Sequence, residues 1–117
     1  MSIAVIVESF SSTNAKEIID FILGLSVYNE ELYIEFRSNS LKYLLKDYEY
    51  DYSQVGGRNI SKLLNLFELY DVDNIFVDKE NLKKYSYNKK MLHDYIKVVD
   101  SLELQERLRN AKHKFML

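Results

Sequence analysis

Residues 69–85, LYDVDNIFVDKENLKKY, join an apolar strand pattern to a helical one. In open α/β proteins, ligands bind and catalytic groups lie just beyond the carboxyl ends of such strands. The junction here carries Asp78 and Lys79. An aspartate at this position could act as a general base, but aspartate is also a residue type that commonly caps the first turn of a helix. The junction therefore shows no evident nucleophile.

Cysteine is absent from the 117 residues, which removes thiolate catalysis, disulfides and cysteine-based metal sites. The two histidines, His93 and His113, lie far apart in the sequence, and neither has neighbours at metal-ligand spacing. Carboxylate pairs such as Glu30–Glu31 are typical of a solvated surface. We therefore expect neither a metal site nor a cofactor.

Two segments could hold an anion at the start of a helix, where backbone N–H groups are free. Residues 8–17, ESFSSTNAKE, offer the hydroxyls of Ser11 and Ser12, and residues 55–62, VGGRNISK, offer Arg58. The second segment lacks the Lys-Ser/Thr pair of a P-loop. Both segments are also typical of ordinary turns and helix caps. One functional hypothesis is accordingly a flavodoxin-like module that binds an anion or a nucleotide.

Tyrosine is concentrated in two segments of opposite charge. Residues 46–52, KDYEYDY, are acidic, and residues 83–90, KKYSYNKK, are basic. Cations beside tyrosines can bind RNA, but the net charge of −2 does not favour nucleic-acid binding by the whole chain. Because tyrosine is enriched at protein interfaces, these segments and the Asp78 junction are candidate subunit contacts. The candidates are Tyr48, Tyr50, Tyr52, Asp78, Lys79, Lys83, Lys84, Tyr85 and Tyr87.

Apolar periodicity predicts how the elements alternate. Strands are expected at residues 2–9, 31–37, 74–78, 95–100 and 112–117, and helices at 16–27, 40–47, 59–71, from 79 onward and from 101 onward. Thr13 or Asn14 and Ser101 could cap two of these helices. The alternation predicts one α/β domain over residues 1–117, with a five-stranded, mostly parallel sheet and helices on both faces, a Rossmann- or flavodoxin-like arrangement of three layers.

Three stretches resemble a known family, the TusC or DsrF-type subunits of the DsrE/DsrF/DsrH sulfur-relay family. Residues 60–85 are similar to its helix, Leu-Tyr-Asp turn, strand and basic helix. The opening residues IAVIVES with the segment NAKEIIDFILGLSVYNEELYIEFR, and the closing residues VVDSLELQERLRNAKHKFML, are similar to its first and last units. The resemblance is collinear over essentially the whole chain and implies a DsrE/DsrF-like fold.

The resemblance also implies a function. Subunits of the TusB, TusC and TusD types assemble as a dimer of heterotrimers that passes persulfide sulfur toward a TusE-like acceptor and the 2-thiolation of wobble uridine in tRNA. A related complex works in dissimilatory sulfur oxidation, and the sequence leaves the destination of the sulfur open. The sulfur-carrying cysteine belongs to the TusD-like subunit, at the junction after its third strand, and Asp78 stands about there in this chain. The resemblance thus implies a non-catalytic subunit of a sulfurtransferase complex.

Further expectations concern location and assembly. We expect a cytoplasmic protein that does not bind a membrane, because no apolar run approaches the length of a bilayer span. At a net charge of −2, direct binding to nucleic acid is not expected either. A homo-oligomer of the same family without a role in sulfur transfer is the other hypothesis that the sequence leaves open.

Overall fold

The computed structural model describes residues 2–10, 14–28, 31–46 and 64–117. These residues form one five-stranded sheet in the order β4-β3-β2-β1-β5, and every neighbouring pair of strands is parallel. The predicted parallel α/β sheet is therefore confirmed. The strands are β1 (Ser2–Val7), β2 (Glu31–Phe36), β3 (Ile75–Asp78), β4 (Ile96–Val99) and β5 (His113–Met116).

The helices lie on both faces of this sheet, as predicted. The chain moves across the sheet in one direction from β1 to β4 and then returns to the far side of β1 for β5. Right-handed crossovers therefore place the last helix, α4 (Ser101–Arg109), on the face opposite the other described helices. The helices are α1 (Ala15–Ser26), α2 (Leu66–Leu69), α3 (Lys79–Lys84) and α4 (Ser101–Arg109), with two 3₁₀ helices at Ser38–Leu44 and Lys89–Met91.

The face toward α1 carries the larger apolar core. Alternate residues of the strands point into it, as period-two patterning requires, and Phe10 packs edge-on against both Phe36 and Tyr43. Fully buried members of this core include Ile19, Ile22, Ile34, Phe36, Leu41, Leu44, Leu64, Phe67, Ile75 and Leu92. No helix of the described residues is both long and apolar enough to span a bilayer.

The opposite face is covered far less. Its apolar core is a small cluster in which Leu104 and Leu108 of α4 pack on Ala4, Ile6 and Phe76 of the strands. Two buried residues, one helical turn apart, therefore supply the apolar contact of α4 with the sheet. This thinly covered face is the one on which the polar side chains described below are found.

Several predicted element boundaries are wrong. The segment predicted as a helix at 40–47 is the 3₁₀ helix Ser38–Leu44. In the described part of the predicted helix 59–71, α2 covers Leu66–Leu69, and Asp71 adopts a φ of 58° that a helix cannot continue through. The apolar spacing places Tyr70 on the buried face, but it is 54% exposed because it lies at this helix end. Residues 59–63 lie outside the described ranges.

The predicted caps also differ. Asn14 occupies the N-cap position of α1 without a capping hydrogen bond from its side chain. Its amide Nδ2 instead donates to the carbonyl of Ser9 at 2.6 Å. Thr13 lies outside the described residues.

His93 lies just before β4, in a segment that is hydrogen-bonded to the end of the 3₁₀ helix that follows β2. Leu45 and Leu92 form an antiparallel bridge, and the His93 N–H donates to the Leu44 carbonyl at 3.2 Å. The imidazole stacks on Tyr95 with ring centres 5.4 Å apart. Burial, and to a smaller extent the positive charge of Lys46, lowers the pKa of His93 below its ordinary value of 6.5.

This lowered pKa predicts a pH dependence of stability. Because the unfolded chain binds a proton at His93 more readily than the folded chain, the free energy of unfolding should decrease as the pH falls below 6.5, until His93 is protonated in the folded state as well. The variant His93→Gln should lose this part of the slope in urea denaturation between about pH 5 and 8. The matched control His113→Gln, in exposed β5, should keep it; equal slopes in all three proteins would contradict the prediction.

Candidate functional site

Asp78 ends β3 and is the N-cap residue of α3. Its Oδ1 accepts hydrogen bonds from the backbone N–H groups of Glu80 at 2.8 Å and of Asn81 at 3.4 Å. The carboxylate also accepts the hydroxyl of Ser101, which lies within 2.7–2.8 Å of both oxygens. The interpretation of Asp78 as a helix cap is confirmed, and its carboxylate accepts hydrogen bonds from three donors.

Ser101 does not cap α4, contrary to the prediction from the sequence. Asp100 occupies the N-cap position of α4, and its side chain makes no capping hydrogen bond. The Ser101 hydroxyl donates across to Asp78 instead. This hydrogen bond ties the first turn of α4 to the junction between β3 and α3.

Asn81 extends the same network to the neighbouring strand. Its Oδ1 accepts the backbone N–H of Ser38 at 2.9 Å, at the start of the 3₁₀ helix that follows β2. Ser38 has a φ of 57°, so the chain turns through a left-handed conformation at the point where Asn81 holds it. Through Asp78 and Asn81, the start of α3 is thus hydrogen-bonded both to the start of α4 and to the 3₁₀ helix after β2.

A buried ion pair lies beside this network on β2. Glu35 is 3% exposed, and the Arg37 guanidinium donates to its two carboxylate oxygens at 2.8 and 3.0 Å. Arg37 also lies 3.5 Å from the half-exposed carboxylate of Glu8, just after β1. The hydrogen bonds to Glu35 raise the pKa of Arg37, so the guanidinium is charged throughout the accessible pH range.

The ion pair was missed in the sequence, although a signal was present. Glu35 occupies an alternating position in β2 between the buried residues Ile34 and Phe36, and Arg37 follows two residues later on the same face. A charged residue in a buried strand needs a partner, and a spacing of two places the nearest cation beside it. The alternation in ELYIEFR therefore indicates that Glu35 pairs with Arg37.

These groups line a cleft of about 280 Å³ between the carboxyl ends of the strands and α4. Leu104 and Leu108 form its apolar side, and Gln105 adds an amide. A serine hydroxyl needs an adjacent base to act as a nucleophile, yet His93 and His113 lie before β4 and at the start of β5, at the opposite ends of the strands. The cleft can bind through hydrogen bonds and charge, and the group beside the Ser101 hydroxyl is the Asp78 carboxylate, which also accepts two backbone N–H groups.

The remaining predicted site residues are only partly brought together. Lys79, Lys83 and Tyr87 line a second cleft beside β4, whereas Tyr85 stacks on Tyr87 with ring centres 6.3 Å apart. Lys84 is exposed near the end of α3. No group of three potential metal ligands occurs in the described part of the chain. The predicted residues that lie outside the described ranges are Tyr48, Tyr50, Tyr52, Ser11, Ser12, Arg58 and Glu30.

The Glu35–Arg37 pair predicts unequal effects of the two single substitutions. Arg37→Gln leaves the buried carboxylate without its cation and should lower the free energy of unfolding by about 3 kcal/mol. Glu35→Gln leaves the part-exposed Arg37 with water and Glu8, so its effect should be smaller, about 1 kcal/mol. The double variant should lose less than the sum of the two; additive losses in denaturant titrations would show that the pair is not coupled.

The chain is similar in sequence to two curated proteins. "Protein TusC homolog" of Vibrio vulnificus strain YJ016 is 26% identical over 101 residues, which cover 86% of this chain and 84% of the relative. The homologue from Vibrio vulnificus strain CMCP6 is 25% identical over the same share of each chain. No protein-family model matches the chain.

Solved structures agree in fold. The crystal structure of the ychN protein from E. coli superposes with a TM-score of 0.80 at 14% identity and covers 100% of this chain and 99% of its own. The protein of unknown function MTH1491 from Methanobacterium thermoautotrophicum gives a TM-score of 0.63 at 15% identity, with 99% and 98% covered. The resemblance of the sequence to TusC or DsrF-type subunits is therefore confirmed, and the chain has the DsrE-like fold of these solved structures.

Proposed function

We propose that this chain is the subunit of a TusBCD-like sulfurtransferase complex that carries no sulfur itself, and that the complex serves 2-thiolation of the wobble uridine in tRNA. The observation that supports this best is the state of Asp78. At the junction where the TusD-like subunit carries its cysteine, the Asp78 carboxylate is occupied with two backbone N–H groups and the Ser101 hydroxyl.

The chemistry of sulfur transfer supports the same division of labour. A persulfide forms on a thiol, and exchange requires a thiolate to attack a sulfur atom. None of the 117 residues is cysteine. A carboxylate that caps a helix is bound in place, so the junction of this subunit holds its shape while sulfur would move on a partner.

The chain would then contribute contact surfaces for its partner subunits and part of the wall around the reactive cysteine of a partner. Stable interfaces bury about 800 Å² on each partner, so contacts with both a TusB-like and a TusD-like subunit would use a substantial share of so small a domain. The polar cleft under α4 and the second cleft beside β4 are two concave surfaces near the Asp78 junction. Either can help to enclose the cysteine of a neighbouring subunit.

The complex isolated from the source cells should contain two other proteins of similar size in equal copy number, measured by native mass spectrometry. When sulfur labelled with ³⁵S is supplied through a cysteine desulfurase, the label should appear on a cysteine of one partner and not on this chain. Label bound covalently to this chain would contradict the proposal. Isolation of the chain alone or with copies of itself would remove its main support.

The variant Asp78→Ala should keep the thiolation activity of the assembled complex, because the carboxylate has a structural role. It should lower the free energy of unfolding by about 1 kcal/mol through loss of the cap. Asp78→Asn is the matched control, since asparagine caps a helix as well as aspartate does. Loss of thiolation in both variants, with the complex intact by native mass spectrometry, would show that the charge of Asp78 takes part in the function.

A further inference from the structure

Strand β4 is an edge of the five-stranded sheet formed by the described residues. It pairs with β3 along Ile96–Val99, in the register Ile75↔Ile96 to Asp78↔Val99. In a β-ladder, the N–H and C=O groups of alternate residues point away from the paired strand. The outward groups of β4 therefore present a row of donors and acceptors that another extended segment can use.

This edge lies at the base of a trough. Val98 and Val99 are consecutive, so their side chains point to opposite faces of the sheet, yet both line the same cleft of about 410 Å³. The cleft therefore lies at the carboxyl end of this edge strand, where it reaches both faces of the sheet. Its walls are α3 with the segment after it on one face, and the start of α4 on the other.

The wall formed by α3 combines apolar and cationic groups. Leu82 and Tyr87 supply the apolar part, and Lys79, Lys83 and Lys89 surround it. Lys83 lies 4.0 Å from Glu80 of its own helix. Lys79 and Lys89 make no ion pair within the described part of the chain, and both are exposed. An acidic side chain can reach them without breaking an existing ion pair.

The opposite wall is acidic but partly neutralised. Glu103 accepts a hydrogen bond from Arg107 at 3.1 Å, which leaves Asp100 as its other carboxylate. Around the trough, Lys79, Lys89 and Asp100 have no ion-pair partner among the described residues. Two positive charges and one negative charge are thus left unpaired there. This balance favours an incoming segment with acidic residues that flank an apolar one, with the acidic residues turned toward α3.

The second open edge of the described sheet has a different character. Strand β5 is exposed along its whole length and carries Lys114, directly after Lys112 and His113. Lysines on an edge strand oppose pairing with another chain. Strand β4 carries one lysine as well, Lys97, whose Nζ donates to the Asn74 Oδ1 at 3.2 Å and lies over the Phe76 ring. What favours the β4 edge for partner binding is the cleft beside it, with two lysines that have no ion-pair partner among the described residues.

We propose that the β4 edge binds an extended acidic segment of a partner protein as a sixth strand, with an apolar side chain of that segment against Leu82 and Tyr87. Main-chain hydrogen bonds would give affinity, and the pocket and the lysines would give specificity. The location of the site rests on the geometry of β4 and its trough; that the partner is a subunit of the sulfur-relay complex rests on the proposed function.

Hydrogen exchange tests the site directly. The amide exchange of the full chain alone is compared with that of the complex isolated from cells. Within residues 97–99, the amides that point outward should exchange at least about tenfold more slowly in the complex. Unchanged exchange there, in a complex with TusB- and TusD-like subunits, would overturn this inference and leave the proposed function standing. Protection in a complex without such subunits would support the edge site and contradict the function.

Charge reversal tests the specificity. The probe is the acetylated, amidated peptide Asp-Val-Tyr-Val-Asp, titrated into the full chain at low and high salt. Binding should weaken at least about tenfold in Lys79→Glu/Lys89→Glu and with added salt, but not in the matched control Lys112→Glu/Lys114→Glu at the β5 edge. The peptide Lys-Val-Tyr-Val-Lys should bind more weakly. Equal binding by the two peptides, or pairing of β4 between two copies of the chain, would overturn the proposal.

Discussion

The return of the chain across the sheet between β4 and β5 is the constraint on which the rest of the structure depends. Right-handed crossovers put the earlier helices on one face, so α4 lies alone among the described helices on the other. Its nine residues must cover parts of β3, β2 and β1 together. The side chains beneath it include the buried Ala4 and Phe76, and Glu35, which is neutralised by Arg37.

The polar network after β3 follows from this constraint. With two buried leucines to hold it, α4 is attached to the sheet by further contacts at its two ends. Near its start, the Ser101 hydroxyl donates to Asp78, and near its end the Arg107 guanidinium lies 5.3 Å from the centre of the Phe76 ring. One carboxylate thereby caps α3 and anchors α4.

The order of elements and the parallel sheet could be predicted from the sequence because each strand has an apolar pattern and each crossover a helical one. The capping role of Asp78 could be predicted too, since it depends on neighbours in sequence. The partner of Ser101 could not, because Ser101 lies 23 residues from Asp78 and meets it through the sheet register. The end of α2 was missed since the apolar spacing continues to Tyr70 while the backbone turns at Asp71.

The thin cover over the second face has a consequence for motion. A short helix with two buried side chains is the kind of unit that opens at a fraction of the global free energy of unfolding. Opening of α4 would hydrate Glu35 and Arg37, and the hydration of these charges offsets part of the free energy needed to expose Phe76 to water. We therefore expect α4 to detach transiently from the sheet before global unfolding. The face of the sheet under α4 is then exposed to water while the α1 face stays buried.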